Sequence, residues 1–183
     1  PTEKDFILSY AGLIKEKINL NKLAETTLIF SAHGLPESKI KQGDPYQWQV
    51  EHTVNELVKK LSIKNLNYIL SYQSRVGPLK WIGPSTDTVI KTEAQKHKII
   101  VVVPVAFVSE HSETLVELDI EYKKLASEHG SKDYLRVPAV TANHDFINSL
   151  KTSILAASSG DKFTSSITCP EKFKKCPRIQ NIL

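Results

Sequence analysis

The sequence predicts an α/β fold, namely a doubly wound, four-stranded parallel sheet with helices on both faces. Two observations lead to this prediction. Four short apolar runs alternate with segments long enough for helices of ten residues or more, which is the pattern of repeated strand–helix–strand units. The chain has 183 residues, of which 40% are hydrophobic and 24% are charged. It is therefore long enough to bury the core that such a sheet requires.

The first predicted element is an amphipathic helix near the start of the chain. Its apolar residues recur at the three- and four-residue spacing of one helix face, and Pro1 and Thr2 precede it as start signals. The residues on that face are Phe6, Ile7, Tyr10, Leu13, Ile14 and Ile18. Strands are predicted over residues 27–31, 68–72, 99–105 and 134–137, and further helices over 45–61, 85–96, 112–129 and 143–155.

A change of composition divides the chain into a domain and a tail. The segment 156–160 reads AASSG, which is typical of a linker. We therefore expect an α/β domain over residues 1–157 and a linker with a tail over 158–183. The tail contains Cys169 and Cys176, the two cysteines of the chain. Because the chain begins at Pro1 and contains no Met, we expect it to be a piece of a longer protein.

Composition and charge exclude several classes of protein. The 24 basic and 20 acidic residues give a net charge of +4 without any basic run, so we expect no nucleic acid partner. No stretch approaches about 20 apolar residues, the length that spans a bilayer. Two cysteines indicate a reducing compartment rather than a disulfide framework, so we expect a cytoplasmic protein.

Polar residues follow the first and third predicted strands where each strand ends. His33 comes after the first strand, and Glu110, His111 and Glu113 come after the third. Ligands of open parallel sheets bind outside the carboxyl ends of the strands, and the common strand order 2-1-3-4 makes strands one and three neighbours. We therefore expect His33 to face the segment 110–113 across one crevice. A histidine beside carboxylates can accept protons near neutral pH or ligate a divalent metal ion.

Three glutamates, Glu113, Glu117 and Glu121, recur every four residues along the helix predicted over 112–129. Regular helical geometry places them on the narrow polar side of an otherwise apolar helix, where like charges repel one another. Two interpretations stay open. The row is either a carboxylate ladder that passes protons or guides a hydrated cation, or a solvated helix face. The spacing alone favours the solvated face.

Aromatic residues near the crevice loops favour a large flat ligand over a nucleotide. Trp81 and Phe107 lie in the loops, and Tyr46 and Trp48 lie in the helix after the first strand. The glycine-rich motifs that bind dinucleotides or phosphates are missing from the sequence, as is the nucleophile elbow of hydrolases. An apolar wall beside a histidine and carboxylates suits a flat macrocycle better than a phosphate-bearing ligand.

Three segments at these loops resemble the ferrochelatase family, whose members insert ferrous iron into a porphyrin. They are FSAHGLP at 30–36, which continues to GDPY at 43–46, then YQSRVGPLKWIGP at 72–84 and PVAFVSEHSETLVELDIEY at 104–122. The resemblance runs from the first helix to about residue 155 and corresponds to the C-terminal half of the family. It implies one of two similar α/β halves, with the porphyrin cleft between them.

The resemblance assigns roles to the polar residues of the crevice. His33 matches the active-site histidine of the family, and Glu113 matches the glutamate opposite it across the porphyrin. We expect this pair to be catalytic and to contact the metal. Glu110 and His111 match residues beside the pair, although many relatives have Asp at the position of Glu110.

The resemblance also changes the interpretation of the other glutamates. Glu117 and Glu121 match acidic residues of a metal or proton route, so the ladder becomes the expected interpretation. The positions that shape the porphyrin cleft in the family correspond to Gln73, Ser74, Trp81 and Phe107.

The activity that the resemblance implies is that of a lyase of haem biosynthesis, with protoporphyrin IX or coproporphyrin and Fe²⁺ as substrates. We expect no tightly bound cofactor. We also expect no [2Fe-2S] cluster, because Cys169 and Cys176 supply two of the four thiolates usually needed. The expected partner is the N-terminal half, which in relatives includes a lip that meets the membrane. Two alternatives stay open: a chelatase for another metal and tetrapyrrole, or a tetrapyrrole-binding module without catalysis.

Overall fold

The computed structural model describes residues 2–159, 170, 172 and 173. Its sheet has four parallel strands, which are β1 (Thr26–His33), β2 (Tyr68–Gln73), β3 (Ile99–Pro104) and β4 (Asp133–Arg136). The strand order is β2-β1-β3-β4. The predicted fold class and the predicted order 2-1-3-4 are therefore both confirmed.

Helices cover both faces of this sheet, as predicted. In chain order they are α1 (Lys4–Lys17), a 3₁₀ helix (Leu20–Glu25), α2 (Glu37–Lys41), α3 (Tyr46–Leu61), α4 (Thr86–Gln95), α5 (Ser112–Leu115), a π segment (Glu117–Tyr122), α6 (Lys123–Glu128) and α7 (His144–Ser158). The 3₁₀ helix and α2 were not predicted. Both are too short to show a helical period in the sequence.

The prediction of a single helix over 112–129 is wrong. This segment consists of α5, the π segment and α6, because one turn contains an extra residue. The amide of Glu121 donates to the carbonyl of Val116 at 3.0 Å, which is the five-residue spacing of a π turn. Angles calculated at 100° per residue therefore do not hold across this segment, and the polar side of the predicted helix is not one straight row.

Two hydrophobic clusters lie on opposite faces of the sheet. Successive side chains of a strand point to opposite faces. In β1, Leu28 and Phe30 therefore join a cluster with α1 and α3, while Ile29 joins a cluster with α4 and α6. Every residue of β1 before His33 is buried, as expected for a central parallel strand. This packing fixes the position of the carboxyl end of β1, where His33 emerges.

The predicted tail is described in part. Phe173 is buried, and its ring lies 6.0 Å from the ring of Trp48 in α3. Cys169 and Cys176 lie outside the described residues. The domain boundary at residue 157, one residue before the end of α7, therefore stays a prediction, as does the expectation about a cluster. Among the described residues, no helix is both long and apolar enough to cross a bilayer.

Candidate active site

His33 and Glu113 form a hydrogen-bonded pair at the carboxyl edge of the sheet. His33 is the last residue of β1, and Glu113 lies in the first turn of α5, which follows β3. Nδ1 of His33 lies 2.8 Å from Oε2 of Glu113, and the two side chains are 40% and 35% exposed. The expectation that His33 faces the segment 110–113 is therefore confirmed.

The expected gap between these two groups is not present. A glutamate opposite His33 across a porphyrin would lie much farther away than 2.8 Å. The pair is close because β1 and β3 are neighbours, about 5 Å apart, and both chains leave the sheet at the same edge. At this distance no flat macrocycle fits between the two side chains.

The backbone around His33 is held by Tyr46 and by close packing at Gly34. The hydroxyl of Tyr46, in the first turn of α3, donates to the carbonyl of His33 at 2.9 Å. Burial, helped by the charge of Glu113, raises the pKa of Tyr46 to about 12, so the hydroxyl keeps its proton at neutral pH. A Cβ atom at Gly34 would lie 3.0 Å from the carbonyl oxygen of Gln73. A side chain there would press on the backbone of β2, so this close approach favours glycine.

Gln73 connects the sheet to the segment that carries the glutamates. It is 1% exposed and is paired with His33 in the register of β1 and β2. The hydroxyl of Ser31 donates to its Oε1 at 2.7 Å, which orients the amide group. Its Nε2 then donates to the carbonyl of Glu113 and to the carboxylate of Glu117, both at 2.9 Å. Gln73 therefore holds the backbone of Glu113 and the carboxylate of Glu117 in place.

Glu117 accepts four hydrogen bonds. Besides Gln73, the donors are the backbone amide of Ser74 at 2.9 Å, the hydroxyl of Ser74 at 2.6 Å and the hydroxyl of Tyr122 at 2.8 Å. Tyr122 is five residues away, so the π turn brings its hydroxyl to the carboxylate. Burial and then the charge of Glu117 raise the pKa of Tyr122, which therefore remains a neutral donor. Glu117 is thus held in one orientation and is not a freely solvated side chain.

An open crevice of about 760 Å³ lies beside these groups. Six of the residues predicted for the site line it, namely Gln73, Ser74, Trp81, Glu113, Glu117 and Glu121. Sequence reasoning missed Asp87 in the first turn of α4, together with Arg75 and Tyr122. Arg75 lies two residues after the end of β2, so its position near a strand end was the available signal. The positions of Asp87 and Tyr122 depend on helix packing.

His33 is not among the residues that line this crevice, but its ring contacts Glu113, which does. The other three predicted residues also lie outside the crevice lining. Phe107 is buried, and its ring packs 5.3 Å from the ring of His111. His111 caps α5, where its Nδ1 accepts from the amide of Glu113 at 3.2 Å. Glu110 binds Arg136 at 2.9 Å and 3.1 Å. All three support the segment that carries Glu113, and their roles toward a ligand stay predictions. Among the described residues, no three acidic, histidine or cysteine side chains converge as a metal site.

The ion pair of Glu110 and Arg136 predicts an acid-sensitive contribution to stability. Burial alone would raise the pKa of Glu110, but hydrogen bonds from Thr114, Arg136 and the amide of Ala139 outweigh it and hold the pKa below the usual 4.5. The contribution is therefore complete above that value and disappears as the pH falls through the lower folded-state pKa. We expect Glu110→Gln to reduce the free energy of unfolding at pH 7 by about 1 to 3 kcal/mol.

Urea unfolding at pH 7, 5 and 3.5 checks this prediction. The difference between the wild-type chain and Glu110→Gln should shrink toward pH 3.5. Glu56→Gln is the matched control, because Glu56 pairs with the exposed Lys59 at 2.7 Å and such pairs contribute about 0.5 kcal/mol. A difference for Glu110→Gln that does not depend on pH would contradict the argument.

Comparisons with known proteins show the family of this chain. The family model described as Ferrochelatase matches residues 1–158. The chain is 55% identical over 181 residues to a ferrochelatase of Pelagibacter ubique, with 97% of this chain and 52% of that protein covered. It is 47% identical over 182 residues to one of Rickettsia conorii, with 96% and 52% covered. It is 46% identical over 183 residues to one of Rickettsia prowazekii, with the same coverage. The chain spans about half the length of these relatives, and it belongs to the ferrochelatase family.

Proposed function

We propose that this chain is the C-terminal half of a metal chelatase that inserts ferrous iron into a porphyrin. The observation that carries the proposal is the hydrogen-bonded pair of His33 and Glu113 at an acidic crevice, in a chain that belongs to this family. The size of the crevice and its apolar side chains, which include Leu79, Trp81 and Val116, suit a flat macrocycle. Protoporphyrin IX and coproporphyrin are the proposed substrates.

His33 and Glu113 serve to remove protons from the porphyrin. Insertion of Fe²⁺ replaces the two pyrrole N–H protons, so that a neutral porphyrin and Fe²⁺ yield a neutral metalloporphyrin and two protons. When Nδ1 of His33 donates to the Glu113 carboxylate, the lone pair lies on Nε2, on the far side of the ring. Nε2 is then the atom that accepts a pyrrole proton. Glu113 stabilises the resulting imidazolium and is placed to take the second proton.

Glu117 and Glu121 are proposed to guide the metal rather than to accept pyrrole protons. Glu117 is fixed by four donors, and a carboxylate that accepts hydrogen bonds on both oxygens would lose one of them on protonation. Glu121 lines the crevice farther along the same segment. Hydrated Fe²⁺ favours oxygen and nitrogen ligands, so the carboxylates that line the crevice attract the ion toward the pair of His33 and Glu113.

The remaining half of the relatives is the proposed partner of this chain. The chain covers 52% of the Pelagibacter ubique protein, so a comparable length of polypeptide is available to cover exposed apolar surface. α7 has such a surface, because it packs on α1 but leaves several apolar side chains exposed. The exposed apolar residues of α7 are Ile147, Leu150, Ile154 and Leu155. Peripheral membrane contact and a cytoplasmic location also remain proposals.

Metal insertion by a joined polypeptide tests the proposed function. In this polypeptide, the chain follows the N-terminal half of the Pelagibacter ubique relative, and the assay measures metalloporphyrin absorbance with Fe²⁺ under anaerobic conditions. We expect turnover by the joined polypeptide and porphyrin binding by the 183-residue chain. Binding without turnover would favour the non-catalytic module. Faster insertion of cobalt or nickel into another tetrapyrrole would favour the other-metal chelatase.

The double variant Glu117→Gln and Glu121→Gln tests the metal route. We expect a KM for Fe²⁺ roughly tenfold higher, because two carboxylates that attract the cation are neutralised. The KM for porphyrin should stay unchanged. Glu128→Gln is the control, since Glu128 pairs at 3.8 Å with Lys124 on the surface of α6. An unchanged dependence of the rate on Fe²⁺ concentration would count against the route.

A further inference from the structure

Arg136 binds two carboxylates at the end of β4. Its Nε and Nη2 contact the two carboxylate oxygens of Asp119 at 2.6 Å and 2.8 Å. Its Nη1 contacts both oxygens of Glu110 at 2.9 Å and 3.1 Å. The side chain is only 11% exposed. A planar guanidinium with donors on two edges is the group that can hold two carboxylates in fixed orientations.

These two carboxylates flank the residues of the candidate active site. Glu110 lies three residues before Glu113, and Asp119 lies two residues after Glu117. Glu110 also accepts from the amide of Ala139 at 2.9 Å, which connects it to the chain after β4. The segment 110–119 is therefore attached to β4 on both sides of the two glutamates.

The attachment of Asp119 falls within the π segment. An isolated helix favours the regular α form, and π turns occur mostly as single turns held by their surroundings. If the turn relaxed to the α form, residues after it would rotate by about 100° relative to those before it. The bidentate ion pair between Arg136 and Asp119 opposes this rotation. A second contact, from the hydroxyl of Tyr134 to the carbonyl of Leu118 at 2.7 Å, acts in the same direction.

We propose that Arg136 is a positioning residue of the candidate active site. Its two ion pairs hold the segment 110–119 in the conformation that keeps Glu113 against His33. The same contacts keep the π turn in the register that directs Glu117 to Gln73. Arg136 does not line the crevice, so it acts through the glutamates and not on a ligand. The catalytic consequence rests on the proposed function, whereas the conformational consequence does not.

Arg136→Met and Asp119→Asn test this proposal in the 183-residue chain. Arg136→Met removes both ion pairs. Asp119→Asn keeps a polar group of the same shape, so this milder variant tests the proposal if Arg136→Met fails to fold. The readout is the imidazole ¹⁵N chemical shift of His33, which reports whether Nδ1 is hydrogen-bonded. We expect both variants to lose the hydrogen-bonded signal. Lys132→Met is the matched control, because Lys132 pairs with Glu25 at the opposite end of β4 and its loss should leave the His33 signal unchanged.

Kinetics of the joined polypeptide provide the second readout. We expect Arg136→Met to lower kcat about a hundredfold, as displacements of roughly 1 Å do, with the KM for porphyrin within about twofold of the wild type. A variant that unfolds more easily but keeps both the wild-type His33 signal and the wild-type kcat would overturn the proposal. Loss of the His33 signal in a polypeptide that never metallates porphyrin would support positioning by Arg136 and refute the proposed function instead.

Discussion

The His33→Ala variant of the joined polypeptide is expected to insert Fe²⁺ into porphyrin about 10² to 10⁴ times more slowly than the wild type, the usual contribution of a general base. Nε2 of His33 is the proposed proton acceptor, and alanine leaves no group in its place. Glu113 alone would face the pyrrole nitrogens without the imidazole that it now contacts at 2.8 Å. Porphyrin binding should be retained, because the crevice lining stays intact.

Stopped-flow absorbance of the metalloporphyrin measures the rate of metal insertion. Quenching of the protein fluorescence by the free porphyrin measures porphyrin binding separately. His144→Ala is the control, because that histidine is 87% exposed at the start of α7, away from the crevice. A His33→Ala variant with a wild-type metallation rate would exclude His33 as the proton acceptor. Loss of porphyrin binding as well would show that His33 acts in binding rather than in proton transfer.

The Gln73→Glu variant is expected to be the most destabilised single variant of the site. The substitution keeps the shape of the side chain but replaces the Nε2 donor, 2.9 Å from the Glu117 carboxylate, with an anionic oxygen. A buried charge without a partner costs about 3 to 5 kcal/mol. The carbonyl of Glu113 would lose its donor at the same time. We therefore expect α5 and the π segment to separate from the end of β2.

Urea unfolding of the 183-residue chain measures this loss. Gln47→Glu is a closely matched control, because Gln47 also donates from Nε2 to a glutamate, Glu51, at 3.0 Å, but on the exposed surface of α3. The control should lose only about 0.5 kcal/mol, as for like charges on a helix surface. An equal loss in both variants would show that the buried network around Gln73 does not hold the glutamates.

The contacts of the glutamates could not be predicted from local spacing. A regular helix over 112–129 predicts a straight row of carboxylates, and the spacing of that row favours solvation. The π turn breaks the row, and the half-buried Glu117 accepts from Gln73 at the end of β2, from Ser74 just after it and from Tyr122, five positions away. The π segment also contacts β4, where the hydroxyl of Tyr134 donates to the carbonyl of Leu118. A pattern read within one segment contains no information about such contacts.

The sequence by itself determined the parallel sheet and the meeting of His33 with Glu113. Both follow from local rules, because apolar runs alternate with helices and the ends of neighbouring parallel strands share one edge. The tertiary structure decided the distance within that pair, the orientation of Gln73 and the double ion pair of Arg136. These features depend on side chains that are far apart in the chain and become neighbours only when the helices pack on the sheet.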